Sequence, residues 1–306
     1  MARHMRIGLG ELLSIGSAAS WASGVILYRK LGESLPPLTL NFLKNVIVLA
    51  MLVPVVAWLY AAHPPQMGAV QIGLCLFSGL LGLAVADTLY FAALNAVGAG
   101  RMGVIGNFYS PLVLTLSFAF LGERLNLLQG LGFLLVSAGV LLVARPEGGW
   151  RGIDGAAQRR GALLGTIAVA LMAVGIVLVK PILEQQPLLW VTGLRMLGGL
   201  TGMLALAAMR GQLRHLLPVR QMSGRKPLHW PTLVLAAIVG QGLSMVLWLG
   251  GYKYTKASVA AVLNETSSVF ILLFAALWLH EPITRRGAVG VTLTMGGIVC
   301  MLTQGT

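Results

Sequence analysis

GVILYRKLGESLP at residues 24–36 returns as GIVLVKPILEQQP at residues 175–187. At this constant shift of 151, Gly24 meets Gly175, Arg29 meets Lys180, Glu33 meets Glu184, Pro36 meets Pro187, and Lys44, set in an apolar run, meets Arg195. Further along, the shift becomes 158: Gly82 meets Gly240, Leu114 meets Leu272, Glu123 meets Glu281, Gly132 meets Gly290 and Gly139 meets Gly297. The second copy therefore carries a seven-residue insertion, most simply placed in the polar stretch 210–231. Residues 24–145 and 175–303 read as two copies of one almost wholly apolar unit. Repeated apolar helical segments are the pattern of a membrane transporter built from two like halves.

Composition sets the solvent. With 57% hydrophobic and 10% charged residues, the chain lies far from water-soluble domains, in which about a quarter of residues are charged. A bilayer core about 30 Å thick takes roughly 20 apolar residues per helix. Ten such segments are legible: 8–28, 38–60, 69–91, 103–121, 127–144, 161–179, 188–209, 232–251, 259–279 and 287–304. Strands of a membrane barrel would instead alternate in polarity over about ten residues, and backbone hydrogen bonding in lipid permits no third architecture. Five segments per copy is an odd number, so the copies enter the membrane in opposite senses. The expectation is an all-α integral membrane protein, a single domain over 1–306 with ten transmembrane helices as two inverted five-helix repeats, 8–145 and 159–304. The first segment follows Arg3 and Arg6 as a leader peptide would, yet lacks a cleavage site and has a counterpart in the second copy, so it reads as a span.

The 39 glycines suit close approach of membrane helices, with Gly79, Gly82, Gly161 and Gly165 as packing positions. Cys75 and Cys300 fall inside predicted spans and read as small packing residues rather than as a disulfide or metal site. No nucleophile arrangement, metal spacing or nucleotide fingerprint stands out, so no enzyme, cofactor or metal is expected. The net charge of +13 would suggest nucleic acid for a soluble chain; in a membrane it reports orientation. Arg3, Arg6, Arg124, Lys180, Lys253 and Lys256 fall on the side of the termini, and fourteen other Lys and Arg fall on the opposite side. The positive-inside rule then puts the loops 145–160 and 210–231 in the cytoplasm and the termini outside, in a bacterial-type inner membrane.

Leu-Gly-Glu-Arg-Leu at 121–125, followed by Gln129, Gly130 and Gly139, is paired with Leu-His-Glu-Pro-Ile at 279–283, followed by Gly287 and Gly297. In this pairing the chain resembles the drug/metabolite transporter superfamily, and within it the ten-helix EamA-type branch, which includes exporters of neutral and aromatic amino acids and related metabolites. His280 stands where the first motif has Gly122. The resemblance covers essentially the whole chain. It implies helices one to four and six to nine around a central cavity, with helices five and ten at the periphery, and alternating access by rocking of the halves.

Polar groups inside spans are costly unless they face protein or a water-filled cavity, so they mark the site. Lys44 and Arg195 lie within helices two and seven, with Asn41 on the Lys44 face; they can hold a substrate carboxylate, or snorkel to the interface. Tyr90 aligns with Trp248 and Asn107 with Glu265, and these, with Tyr109, Ser244 and the serine-flanked Trp21, suit cavity walls. Glu265 and Glu11 are the acids available for proton coupling, although Glu11 also reads as a solvated first-turn acid. Glu123 and Glu281 read as loop caps. Cations and amides opposite acceptors, among adaptable aromatic and Met surfaces, point to export of amino acids and similar metabolites by a protein that works as a monomer in contact with membrane lipid. The alternatives are a proton-coupled exporter of lipophilic cations and a nucleotide-sugar or sugar-phosphate carrier.

A reporter active only outside the cytoplasm, fused after Thr306, is expected to give signal. Silence there, with a bright cytoplasmic reporter at the same point, rejects the orientation.

Overall fold

The computed structural model describes residues 8–144, 155–213, 216, 228–278 and 285–302. The second motif at 279–283, with Glu281 and His280, lies outside the described residues, as do Arg3 and Arg6. Among the described residues all regular structure is helical. Seven stretches are long and apolar enough to cross a bilayer: Pro37–Tyr60, Ala69–Val97, Val104–Leu121, Ala156–Gln185, Leu188–Met209, Trp230–Tyr254 and Ala257–Phe274. The chain is thus an all-α, multi-pass membrane protein.

In chain order the α-helical segments are α1 (Leu9–Leu31), α2 (Pro37–Tyr60), α3 (Ala69–Gly79), α4 (Asp87–Val97), α5 (Ala99–Gly106), α6 (Tyr109–Leu116) and α7 (Leu127–Ala144). After the central loop come α8 (Ala156–Gln185), α9 (Leu188–Met209), α10 (Trp230–Leu235), α11 (Ser244–Tyr254), α12 (Ala257–Asn264), α13 (Ser267–Trp278) and α14 (Arg285–Leu302). The repeated prolines explain two of the starts. Pro36 and Pro187 both sit in extended backbone just before α2 and α9, where a fixed φ and a missing amide hydrogen cost nothing. Over the described residues the apolar segments read from sequence lie largely on helix, but α8 runs several residues beyond its expected span at both ends.

The helices are not uniform. π-helical stretches at Leu80–Ala86 and Ala236–Leu243 join α3 to α4 and α10 to α11, at positions that correspond under the shift of 158, and such stretches recur at functional sites. The expected spans 103–121 and 259–279 are each interrupted, at Asn107–Phe108 and Glu265–Thr266. There the amides of Asn107 and Phe108 bond back three residues to Val104 and Ile105, and those of Glu265 and Thr266 to Val262 and Leu263. In the first copy Pro111 has no amide hydrogen to give to the Asn107 carbonyl, which explains the break. Non-helical backbone at membrane depth persists only where it is buried in protein or lines a cavity.

Glycine sets the crossings. α7 lies along α14, where a Cβ on Gly132 would come 2.8 Å from the Gly297 carbonyl oxygen and one on Gly139 would come 2.5 Å from that of Gly290. α3 crosses α9 so closely that Cβ atoms on Gly79 and Gly198 would overlap the backbones of Arg195 and Leu76. These contacts follow the small-residue rule for membrane helices. In the motif at 121–125, Gly122 adopts φ +66°, a left-handed conformation that side chains disfavour. It turns the chain so that the Glu123 carboxylate accepts hydrogen bonds from the amides of Ala257 and Ser258 (2.8 and 2.9 Å) and from the Ser258 hydroxyl (2.7 Å). The motif acid therefore caps α12.

Gly139→Val is expected to cost about 1–3 kcal/mol or more by overpacking the α7–α14 crossing. Gly73→Ala, with nothing within 4 Å of the added carbon, should change little. Thermal unfolding in detergent compares them, and equal midpoints would mean that the glycine does not set this crossing.

Candidate functional site

A cavity of about 230 Å3 opens between elements of both copies. Trp21 (α1), Tyr90 (α4), Asn107, Tyr109 (α6), Arg195 (α9), Ser244 and Trp248 (α11) and Glu265 all line it, as do Asp87, Gln241 and Met245. Among the described residues α2, α7 and α14 contribute none of the lining. The absence of α2 departs from the expected ring of eight helices.

That departure has an electrostatic cause. Lys44 is fully buried, its Nζ 2.7 Å from Asp87 Oδ2 and 2.6 Å from Gln241 Oε1, with the rings of Phe91 and Tyr28 at 5.2 and 5.8 Å. A charge so deep requires a counter-charge and further hydrogen bonds, and Asp87 with Gln241 supplies them. Asn41, also fully buried, donates to the Leu83 carbonyl (2.6 Å) and Thr88 Oγ1 (3.0 Å). Neither residue reaches the cavity wall. The expected carboxylate clamp of Lys44 and Asn41 is corrected to a braced ion pair behind that wall, because Asp87 takes the ammonium.

Arg195 is held differently. Its guanidinium donates to Ser78 Oγ (2.7 Å) and lies over the Trp248 ring at 5.5 Å. Nε has no hydrogen-bond partner, and among the described residues no carboxylate lies within 4.0 Å. Glu265 accepts from the Ser110 amide (3.3 Å) and hydroxyl through Oε1. Its Oε2 makes no hydrogen bond, although the Ser137 hydroxyl, also unpaired, is close by. Asn107 Nδ2 is likewise unpaired. Buried polar atoms are nearly always satisfied, so each exception asks for an explanation. Arg195, Glu265 and Asn107, which all line the cavity, each carry one such atom.

Aromatic rings frame these groups. Trp21 meets Tyr90 edge-on at 6.1 Å, and Trp248 meets Tyr252 at 5.0 Å. The Tyr252 hydroxyl lies 2.7 Å from that of Tyr109. Ser244 interlocks with α1, its carbonyl accepting from Ser17 Oγ at 3.1 Å. Glu11 sits apart, half-buried in the first turn of α1 with Oε1 accepting from the Thr255 hydroxyl (2.8 Å). Sequence reading did not single out Ser78 and Ser110, the partners of Arg195 and Glu265. Serine is common between packed membrane helices, so nothing in composition distinguishes them. The Lys44–Asp87 pair did carry a signal, because opposite charges within apolar spans are driven to meet.

Membrane-spanning helices, two of them broken at a cavity lined by a cation and an acid, are the architecture of a membrane transporter. Residues 8–145 and 159–303 each match the EamA-like transporter family, and the chain belongs to that family. It is therefore a multi-pass transport protein of a bacterial-type inner membrane. Over 72 residues it is 36% identical to the probable 4-amino-4-deoxy-L-arabinose-phosphoundecaprenol flippase subunit ArnE of Enterobacter sp. (strain 638). It is 35% identical to the subunit of the same name from Escherichia coli (strain K12 / DH10B). These matches cover 24% of this chain and 66% and 62% of the relatives, so the chain spans less than two thirds of their length. One crystal structure superposes with a TM-score of 0.75 over 95% of both chains at 20% identity, a likeness of fold.

Lys44→Met is expected to cost about 3–5 kcal/mol by stranding the Asp87 carboxylate. The double change Lys44→Met with Asp87→Leu should recover most of that loss. Thermal unfolding in detergent gives the comparison, and a double variant no more stable than the single one rejects the ion pair as the reason.

Proposed function

We propose that this protein carries a small molecule with an anionic group at one end and an amine or hydroxyls at the other, and that the molecule is the head group of a lipid-linked amino sugar phosphate. The observation that carries the reading is the Arg195 guanidinium, with no carboxylate within 4.0 Å among the described residues, lining one cavity with Glu265 and Asn107. Arg195 matches a phosphate or carboxylate by charge-assisted hydrogen bonds, while the Glu265 carboxylate accepts from an ammonium. A cavity of about 230 Å3 holds a sugar head group, and a polyprenyl tail stays in the bilayer. The likeness to the flippase subunits favours this substrate over a free amino acid.

The working arrangement we infer is ten spans in two inverted five-helix repeats, 8–145 and 159–304. The halves rock about the cavity for alternating access. The double family match and the position-for-position breaks at Asn107 and Glu265 support it. Export of neutral or aromatic amino acids is the second reading. The Trp21, Tyr90 and Trp248 rings beside a cation and an acid favour it, since a zwitterion carries the same two charges.

The test uses proteoliposomes loaded with undecaprenyl phosphate-linked 4-amino-4-deoxy-L-arabinose, its amine titrated from outside with a membrane-impermeant amine reagent. The second reading is tested in parallel by counterflow of labelled leucine and phenylalanine. Movement of the lipid-linked amine is expected, and Arg195→Met and Glu265→Gln should each slow it about 10- to 100-fold, the equivalent of about 1.5–3 kcal/mol of charge-assisted hydrogen bonding. Counterflow of amino acids without lipid movement replaces the first reading by the second. Lipid movement indifferent to both variants rejects the site.

A further inference from the structure

In the register of the two copies Lys44 corresponds to Arg195, Asp87 to Met245, Tyr90 to Trp248 and Asn107 to Glu265. The corresponding cations have opposite fates. Lys44 is neutralised by Asp87 at 2.7 Å and withdrawn from the cavity. Arg195 lines the cavity with no carboxylate within 4.0 Å among the described residues, and the position that repeats Asp87 holds a thioether. Met245 is buried and lines the same cavity, one turn before Trp248 on one face of α11, and the Trp248 ring lies under the Arg195 guanidinium. Its sulfur accepts from Gln241 Nε2 at 3.4 Å, the side chain whose oxygen holds Lys44. One linked set of side chains therefore separates the closed charge from the open one.

We infer that Met245 is the specificity-determining residue for the substrate's charge: an apolar side chain here leaves the Arg195 charge to the substrate anion, and an acid here would take it. The inference rests on the substrate reading above. Charged residues are costly at membrane depth unless matched, so the first copy spends its cation on structure. The second copy keeps its cation, and its Glu265, for the ligand. A side chain that carries no charge itself sets which copy recognises an anion. It does so by not supplying the counter-ion that its counterpart supplies.

The purified full-length protein is titrated with glucosamine 1-phosphate, which has an amine and a phosphate, and with glucosamine, which has the amine alone. The wild type is expected to bind the phosphate about tenfold or more tightly, as a charge-assisted anion contact implies. In Met245→Asp that preference should fall to about twofold or less, since the new carboxylate competes for the guanidinium. An acid placed before folding can block folding, so Met245→Cys is also modified after purification with an anionic sulfonatoethyl or a neutral methyl methanethiosulfonate reagent. The wild type, treated alike, controls for Cys75 and Cys300. The anionic adduct should lose the preference relative to the neutral one. A wild type that prefers the phosphate, with folded Met245→Asp or the anionic adduct keeping that preference, overturns the inference alone. A wild type that binds both probes alike overturns the substrate reading and this inference together.

Discussion

A charge inside a lipid bilayer must find an opposite charge, a dense set of hydrogen bonds, or water. Lys44 takes the first course. Its ammonium joins α2, α4 and the π-helical stretch Ala236–Leu243 through Asp87 and Gln241, so the hydrogen bond to Gln241 ties the first copy's buried pair to the second copy. With that charge closed, Lys44 lies among the rings of Phe91 and Tyr28 behind the cavity wall. The cavity on the other side is lined instead by Arg195, Glu265 and Asn107.

The same constraint acts on the backbone. A helix in lipid keeps its hydrogen bonds within itself, and at Asn107 and Glu265, both on the cavity, this chain keeps them only by bonding back three residues instead of four. The breaks expose side chains of two short helices, α5 and α12, at their ends rather than on their flanks. Ser110 and Ser78 then fix the carboxylate and the guanidinium by single hydroxyls. The cost of irregular structure is met by burial, and the gain is a set of polar groups aimed inward.

Much of this was legible before any coordinates. The apolar runs set the class and the helix positions, because the bilayer leaves the chain few alternatives, and the repeated prolines marked where α2 and α9 begin. Trp21, Tyr90, Asn107, Tyr109, Arg195, Ser244, Trp248 and Glu265 were chosen for being polar or amphipathic in apolar surroundings, and the structure brings them together. Lys44 and Asn41 satisfied the same criterion and lie behind the wall, since sequence gives the depth of a residue but not the partner that claims it. The helix breaks were hidden for a related reason. Only the first has a proline beside it, and periodicity does not register a single turn of i to i−3 bonding.

Glu123 has a mechanical consequence. Its carboxylate grips the start of α12 by three hydrogen bonds, while the far end of that helix carries Asn264 and leads into Glu265 at the cavity. Eight helical residues make a lever about 12 Å long, pivoted on the gripped end. A tilt of about 10° about that pivot sweeps the free end through about 2 Å, enough to part the Ser110–Glu265 contact, because hydrogen bonds fail over a shorter stretch than that. The motif acid thus fixes a point about which a tilt of α12 would move the cavity-lining carboxylate, so that a small rotation at the gripped end would become a change of bonding partner at the cavity.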